Sequence, residues 1–301
     1  AAAARGVGVL HVGTDGLGSV RIPAAFCGVA GLKPTQFRVP AWPASPMGVL
    51  ATLGPLARRV ADVALLLELI AQPDPQDSLA TREPAPAVRA ALGRSLAALR
   101  IAWSPRLGYA RGLEPDVERA CALALERLAG DVRAVEAAEP GFDDPLDTCN
   151  AFWHAGSATV LETLPPDRHG ELDPGFLRGA ERGLALPAPR LARAMAERAE
   201  LCERMRVFHE RFDLLATPAM PTGALPLGAD VPADGRFGDE WTGWSPYTYP
   251  FNLSGQPAAT VPVGRTADGL PIGLQLVGRP GEDALVLAAA AAVEAQAGFW
   301  A

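Results

Sequence analysis

The run Gly13-Thr14-Asp15-Gly16-Leu17-Gly18-Ser19 holds three glycines and ends in a serine. It follows a short apolar stretch, 6–12, that reads as a buried strand. A glycine-rich turn after a strand leaves backbone N–H groups free to converge on one point, and Ser19 would place a hydroxyl beside them. A hydroxyl next to a nest of donors is what acyl transfer requires. The oxygen attacks a carbonyl carbon, and the N–H groups hold the negative charge that develops on the carbonyl oxygen. Taken alone, the same run also fits a tight turn with a surface serine. It does not fit a phosphate-binding loop, because no Gly-Lys-Ser/Thr follows. Nor does the chain contain a Gly-x-Ser-x-Gly elbow.

A serine nucleophile needs a base. The sequence offers one lysine, Lys33, and four histidines, His11, His154, His169 and His209. His11 lies on the stretch before the loop, where a packed or solvent-facing ring is the ordinary reading. Phe237, Trp241, Trp244, Tyr247, Tyr249 and Phe251 crowd into one short segment. They either line an apolar substrate pocket, with Trp241, Trp244 and Tyr247 as its members, or pack a proline-rich loop. Asp143, Asp144 and Asp147 read as a solvated loop face, and no metal site is expected.

The elements that must carry these residues alternate between strand and helix. A 3.6-residue stripe of Val60, Val63, Ala64, Leu67 and Ile70 predicts a helix over 57–72. A strand is expected at 99–103, and a helix over 115–128 that opens on Pro115 and stops before Gly130. A long helix over 190–212 leads into a strand at 213–217. Strands at 258–263 and 271–277 flank the turn Ala267-Asp268-Gly269, with Ile272, Leu274 and Leu276 on one face. This alternation implies an α/β sheet with helices packed on it.

Composition narrows the function. Across 301 residues, 49% are apolar and 20% charged, enough to bury a core. A net charge of −7 argues against a chain that mainly grips phosphate backbones. No apolar run reaches the ~18 residues of a membrane helix. Cys27, Cys121, Cys149 and Cys202 are far apart, which suits a reduced cytoplasm and offers neither a zinc motif nor a disulfide framework. The opening Ala1-Ala2-Ala3-Ala4-Arg5 carries neither an initiator methionine nor a signal peptide, so the chain reads as part of something longer.

The longer context of the loop decides between nucleophile and turn. The run from Gly13 through Ser19-Val20-Arg21-Ile22-Pro23-Ala24-Ala25-Phe26-Cys27-Gly28, continued by Gly31-Leu32-Lys33-Pro34-Thr35, closely resembles the amidase signature family. The likeness continues through Gly54-Pro55-Leu56, Leu99-Arg100-Ile101-Ala102-Trp103-Ser104 and Phe212-Asp213-Leu214-Leu215-Ala216-Thr217-Pro218. It is strong again at Pro250-Phe251-Asn252-Leu253-Ser254-Gly255-Gln256-Pro257-Ala258 and at Gly269-Leu270-Pro271-Ile272-Gly273-Leu274-Gln275, and weakest between 143 and 200.

The resemblance implies a mixed sheet covered by helices on both faces, a single domain over 1–301, and hydrolysis of a carboxamide through an acyl-enzyme. Ser19 matches the nucleophile, and the backbone N–H groups of Gly16, Leu17, Gly18 and Ser19 match the oxyanion hole. Leu17 stands where the family usually has glycine, and an oxyanion hole uses only its N–H. The family's base is a lysine reached through a bridging serine in a Gly-Gly-Ser-Ser-Gly-Gly run. Both are expected to be missing here, and Lys33 matches a separate, structural element. No cofactor is implied. The expected partner is a small-molecule amide, without nucleic acid or membrane, and a homo-oligomer is left open. Two alternatives stand beside the amidase reading: a non-catalytic relative that has lost its base, and the A-type component of an amidotransferase that acts with partner subunits.

Overall fold

The computed structural model describes residues 1–237 and 241–300. Residues 238–240 and 301 of the expected domain lie outside the described residues. Among the described residues the strands are β1 (His11–Asp15), β2 (Ala30–Lys33), β3 (Thr52–Ala57), β4 (Arg100–Trp103), β5 (Ala134–Ala137), β6 (Leu214–Pro218), β7 (Ala258–Arg265) and β8 (Pro271–Val277). The helices are α1 (Ala2–Arg5), α2 (Arg21–Cys27), α3 (Val60–Ile70), α4 (Val88–Ala91) and α5 (Pro115–Leu128), followed by α6 (Leu146–Glu162), α7 (Pro174–Leu184), α8 (Ala188–Phe208), α9 (Tyr249–Leu253) and α10 (Asp283–Ala297). None of them is long and apolar enough to cross a membrane.

The strands form one mixed sheet in the order β1-β3-β2-β7-β8-β6-β4-β5. β4 runs parallel to β5 and β6, and the remaining pairs are antiparallel. Period-two alternation sends neighbouring side chains to opposite faces. Leu214 and Ala216 of β6 join one core cluster and Leu215 the other, and Ile101 and Ala102 of β4 divide the same way. Ile272, Leu274 and Leu276 of β8 share the first cluster, as their spacing predicts. α3, α5 and α10 cover that face through Val63, Leu67, Val117, Cys121, Val286 and Ala290. α6, α8 and α9 cover the other through Cys149, Leu201, Met205, Phe251 and Leu253. Both faces of the sheet are therefore buried.

The strand before the glycine-rich loop corrects the expectation. It occupies His11–Asp15 rather than 6–12, and it is one of the two edge strands described in the sheet rather than a buried one. Gly6 and Gly8 take left-handed backbone conformations that break any extended run there, and Val7, Val9 and Val12 are exposed. The helix over 57–72 starts at Val60, because Ala57 completes β3. The long helix ends at Phe208, short of 212. Short strands β2, β3 and β5 carry no alternating signature, since each is only four to six residues long.

The Gly54-Pro55-Leu56 run has a packing cause. Gly54 of β3 crosses β2 so closely that a Cβ there would sit 2.1 Å from the carbonyl oxygen of Leu32. That oxygen belongs to a central strand and has no room to move. Gly54→Ala is therefore expected to lower unfolding free energy by about 3 kcal/mol. Gly93→Ala, where added bulk meets nothing within 4 Å, should stay within about 0.5 kcal/mol of the parent. Urea unfolding of the two variants against the parent chain measures the contrast.

Candidate active site

The candidate nucleophile loop is held by a buried ion pair. Asp15, the last residue of β1, and Arg21, the first of α2, are both fully buried. Arg21 donates from Nε to Asp15 Oδ2 and from Nη2 to Asp15 Oδ1, both at 3.0 Å. Its remaining N–H groups reach Asn252 Oδ1 at 2.5 Å, Thr248 O at 2.8 Å and Gln275 Oε1 at 2.9 Å. All five guanidinium donors are thereby used. Asn252 Nδ2 donates to Asp15 Oδ1 at 2.9 Å and to the Leu50 carbonyl at 3.0 Å. Gln275 Nε2 donates to the Tyr247 carbonyl at 2.7 Å and Thr217 Oγ1 at 3.0 Å. The network joins the edge strand to α9 and β8. Burial pushes the Asp15 carboxyl up, but the Arg21 charge and the hydrogen bonds from Arg21 and Asn252 outweigh it. They bring the carboxyl down from 3.8 to about 2.

The same carboxylate shapes the loop between its two ends. Asp15 accepts the backbone N–H of Gly18 at 2.7 Å and of Val20 at 3.2 Å. Gly18, expected in the oxyanion hole, therefore has its N–H committed to a side chain. The amides of Gly16, Leu17 and Ser19 have no hydrogen-bond acceptor among the described residues. Gly18 adopts φ +129°, and a Cβ there would meet Thr248 Oγ1 at 2.6 Å. Thr248 Oγ1 in turn donates to the Leu17 carbonyl at 2.5 Å, pinning the loop from the opposite side. Leu17 is absent from the left-handed residues, so a leucine is tolerated where the resemblance has glycine. Its side chain is buried in the cluster of Tyr247, Tyr249 and Phe251.

Ser19 is exposed and lines a cavity of about 310 Å³ together with Thr14, Gly16 and Trp153. Its hydroxyl has no hydrogen-bond partner among the described residues. Lys33 does not serve it. The ammonium is fully buried and donates to the Pro34 carbonyl at 2.8 Å. Burial lowers its pKa to about 7, Arg21 adds to the effect, and Asp15 and Asp283 oppose it. His209 packs away from the loop between the Phe212 carbonyl and Gln256. His169 faces the Leu164 carbonyl, and the ring of His11 lies against Gly8. His154 lines a second cavity of about 890 Å³.

The aromatic segment divides. Trp241 and Trp244 line the 890 Å³ cavity, which shares Trp153 with the cavity of Ser19. Trp153 meets Trp241 edge-on, with centroids 5.4 Å apart, and Trp244 stacks on Phe26 at 5.7 Å. Tyr247 is fully buried, and its hydroxyl donates to the Pro105 carbonyl at 2.8 Å. It packs the core beneath the loop. Asp144 likewise accepts the Tyr249 hydroxyl at 2.7 Å instead of facing only solvent.

A family model described as Amidase matches residues 1–287. The chain belongs to the amidase signature family. It is 35% identical to an acylamidase of Rhodococcus erythropolis, over 98% of this chain and 63% of that protein. It is 36% identical to the A-type component of the glutamyl-tRNA(Gln) amidotransferase of Chloroflexus aggregans, over 95% of this chain and 63% of that component. The crystal structure of a bacterial aryl acylamidase belonging to the amidase signature enzymes superposes with a TM-score of 0.88 at 26% identity, covering 98% of this chain and 64% of that one. The chain thus spans less than two thirds of the length of these amidase signature relatives.

Within this amidase fold, the residues that position the loop carry a weaker sequence signal than the loop itself. Asp15 and Arg21 stand six apart in an otherwise small and apolar run, and Asn252 and Gln275 interrupt apolar elements. Polar side chains in such places need buried partners, which is the signal that marks them. Removing Arg21 leaves a buried carboxylate without its cation. Arg21→Met should therefore cost about 3–5 kcal/mol of unfolding free energy. The double variant with Asp15→Asn should be less damaged than Arg21→Met alone. The lowered Asp15 pKa also sets a pH dependence. Between 3.8 and about 2 the unfolded chain binds the proton first, so this stabilisation is complete above 3.8 and is lost as pH falls through about 2. Urea titrations across that window should show the slope in the parent and a flatter one in Asp15→Asn.

Proposed function

We propose that this chain carries the nucleophile of a carboxamide hydrolase. The hydroxyl of Ser19 attacks the amide carbonyl while its proton passes to a base. The tetrahedral oxyanion rests on the N–H groups of Gly16, Leu17 and Ser19. Collapse breaks the C–N bond, the base returns the proton to the leaving nitrogen, and water then hydrolyses the acyl ester on Ser19. One observation carries the reading: Ser19 lines a cavity beside backbone donors that nothing else in the described residues occupies. The likeness to the Rhodococcus acylamidase supports it. For the base we take the lysine and bridging serine that the family resemblance implies, since no described side chain hydrogen-bonds the Ser19 hydroxyl. The substrate is a small-molecule amide. Residues 1–301 are taken as belonging to one amidase-signature domain, organised on the single sheet, of which the relatives carry a further part, and the free cysteines favour the cytoplasm.

A second reading follows from the 36% identity to the Chloroflexus amidotransferase component. In that case the ammonia released at Ser19 passes to a partner, and stable co-purification with other subunits would mark it.

The test is hydrolysis of a simple acyl anilide by the 301-residue chain, beside a version extended by a segment bearing the serine–lysine relay. The extended version should turn over about 10⁴-fold faster than the chain alone, and Ser19→Ala should abolish the gain. Turnover by the chain at the extended rate, lost on Ser19→Ala, would place the base within this chain, with His11→Ala the next variant. Turnover untouched by Ser19→Ala would remove the serine mechanism.

A further inference from the structure

The cavity beside Ser19 has a chemical character of its own. Phe37, Val39, Met47, Val49, Leu53 and Leu79 are the large apolar side chains, besides Trp153, that line it. Among the described residues lining it, the single charged side chain is Asp77. That carboxylate accepts the backbone N–H of Ala41 and of Leu79, each at 2.9 Å, and of Ala80 at 3.2 Å. The Ala41 bond and its neighbours hold its pKa below the ordinary value, so the wall carries a fixed negative charge at neutral pH. Arg82, outside the wall, is the nearby cation that acts on it, and none lies among the lining residues. A carboxylate ligand would enter this space desolvated and facing a like charge, whereas an uncharged apolar group would lose only water.

The extent of the cavity is set from one side by Trp153. Its indole lies against the loop so closely that a Cβ on Gly16 would come within 2.9 Å of the ring. The same ring is braced edge-on by Trp241, 5.4 Å away. Beyond it lies the second cavity, about 890 Å³, whose wall includes Asp173, Arg178 and Asp230. Trp153 thus separates a small apolar space from a larger charged one. The small space, about 310 Å³, equals about ten water volumes and takes a group of about ten non-hydrogen atoms.

We infer that the cavity beside Ser19 is the acyl subsite for an uncharged, apolar acyl group, and that Trp153 is the wall that limits the size of that group. The inference rests on Ser19 as the acyl acceptor. In that chemistry the acyl group stays on Ser19 through both steps while the amine departs, so the space that Ser19 itself lines belongs to the group that remains. Trp153 touches no reacting atom in this account. It acts on specificity through volume.

The test reads binding without turnover, by calorimetry on the full chain carrying Ser19→Ala. Hexanamide and benzamide should bind at least about tenfold tighter than hexanoate or the longer 6-phenylhexanamide. Trp153→Ala should raise the affinity for 6-phenylhexanamide about tenfold by joining the two spaces, and Trp153→Phe should give an intermediate rise. Leu79 is 64% exposed, so Leu79→Lys leaves the core intact and should shift preference toward hexanoate. Hexanoate binding as tightly as hexanamide overturns the inference, as does a size profile that neither Trp153 variant moves. If amide hydrolysis dependent on Ser19 is seen while these profiles stay flat, the acyl subsite falls and the serine chemistry stands. If the profiles follow expectation in a chain whose extended version hydrolyses nothing, the cavity's preference for small uncharged apolar groups stands, while the hydrolase reading and the cavity's assignment to an acyl group both fall.

Discussion

A fully buried carboxylate and guanidinium, Asp15 and Arg21, hold the loop on which the candidate site is built. Taking both ions out of water costs several kcal/mol each, and their mutual attraction alone offsets this only with full hydrogen bonding. The chain meets that condition. Every N–H of Arg21 is used, and Asp15 receives donors from Arg21, Asn252, Gly18 and Val20. A hydrophobic pair of equal volume could match the stability of this cluster. It could not determine which backbone amides of the loop are consumed and which are left over.

That division is the functional consequence. A carboxylate at the end of β1 captures the N–H of Gly18, and the left-handed turn at Gly18 is closed over by Thr248. The amides on either side, at Leu17 and Ser19, and the one at Gly16 remain without acceptors among the described residues. Unpaired donors are expensive when buried, and Leu17 is 2% exposed. Donors left open in this way are what the proposed acyl transfer would use to hold an oxyanion. The edge position of β1 brings the loop to the margin of the sheet, where Ser19 is exposed. The hydrogen-bonded part of the site is therefore its floor, and its open side is the hydroxyl.

Sequence legibility followed length and regularity. The amphipathic α3 and α5 and the β7–β8 hairpin were readable because each repeats its period several times or carries turn chemistry. The strand before the loop was misplaced because Val7 and Val9 look like core in composition, while the left-handed glycines beside them set the backbone. The glycine-rich loop and Ser19 stood out through type and spacing, strengthened by the long run that resembles amidase signature enzymes. What spacing could not give is pairing across the fold. Gln275 lies 254 positions from Arg21 and Asn252 lies 231 from it, and only the sheet brings them together. The aromatic segment shows the same limit. Composition gathers Trp241, Trp244 and Tyr247 in one stretch, but the fold sends two to a cavity and one to the core, and adds Trp153 from a helix far away in sequence.

A crystal structure of the chain with phenylboronic acid bound as its tetrahedral adduct on Ser19 tests the central claim most directly. The account predicts a boronate oxygen within hydrogen-bonding distance of the amides of Gly16, Leu17 and Ser19, with the Gly18 amide still on Asp15 at about the 2.7 Å seen here. A boronate oxygen bound by Gly18, with the Asp15 bond broken, would contradict it.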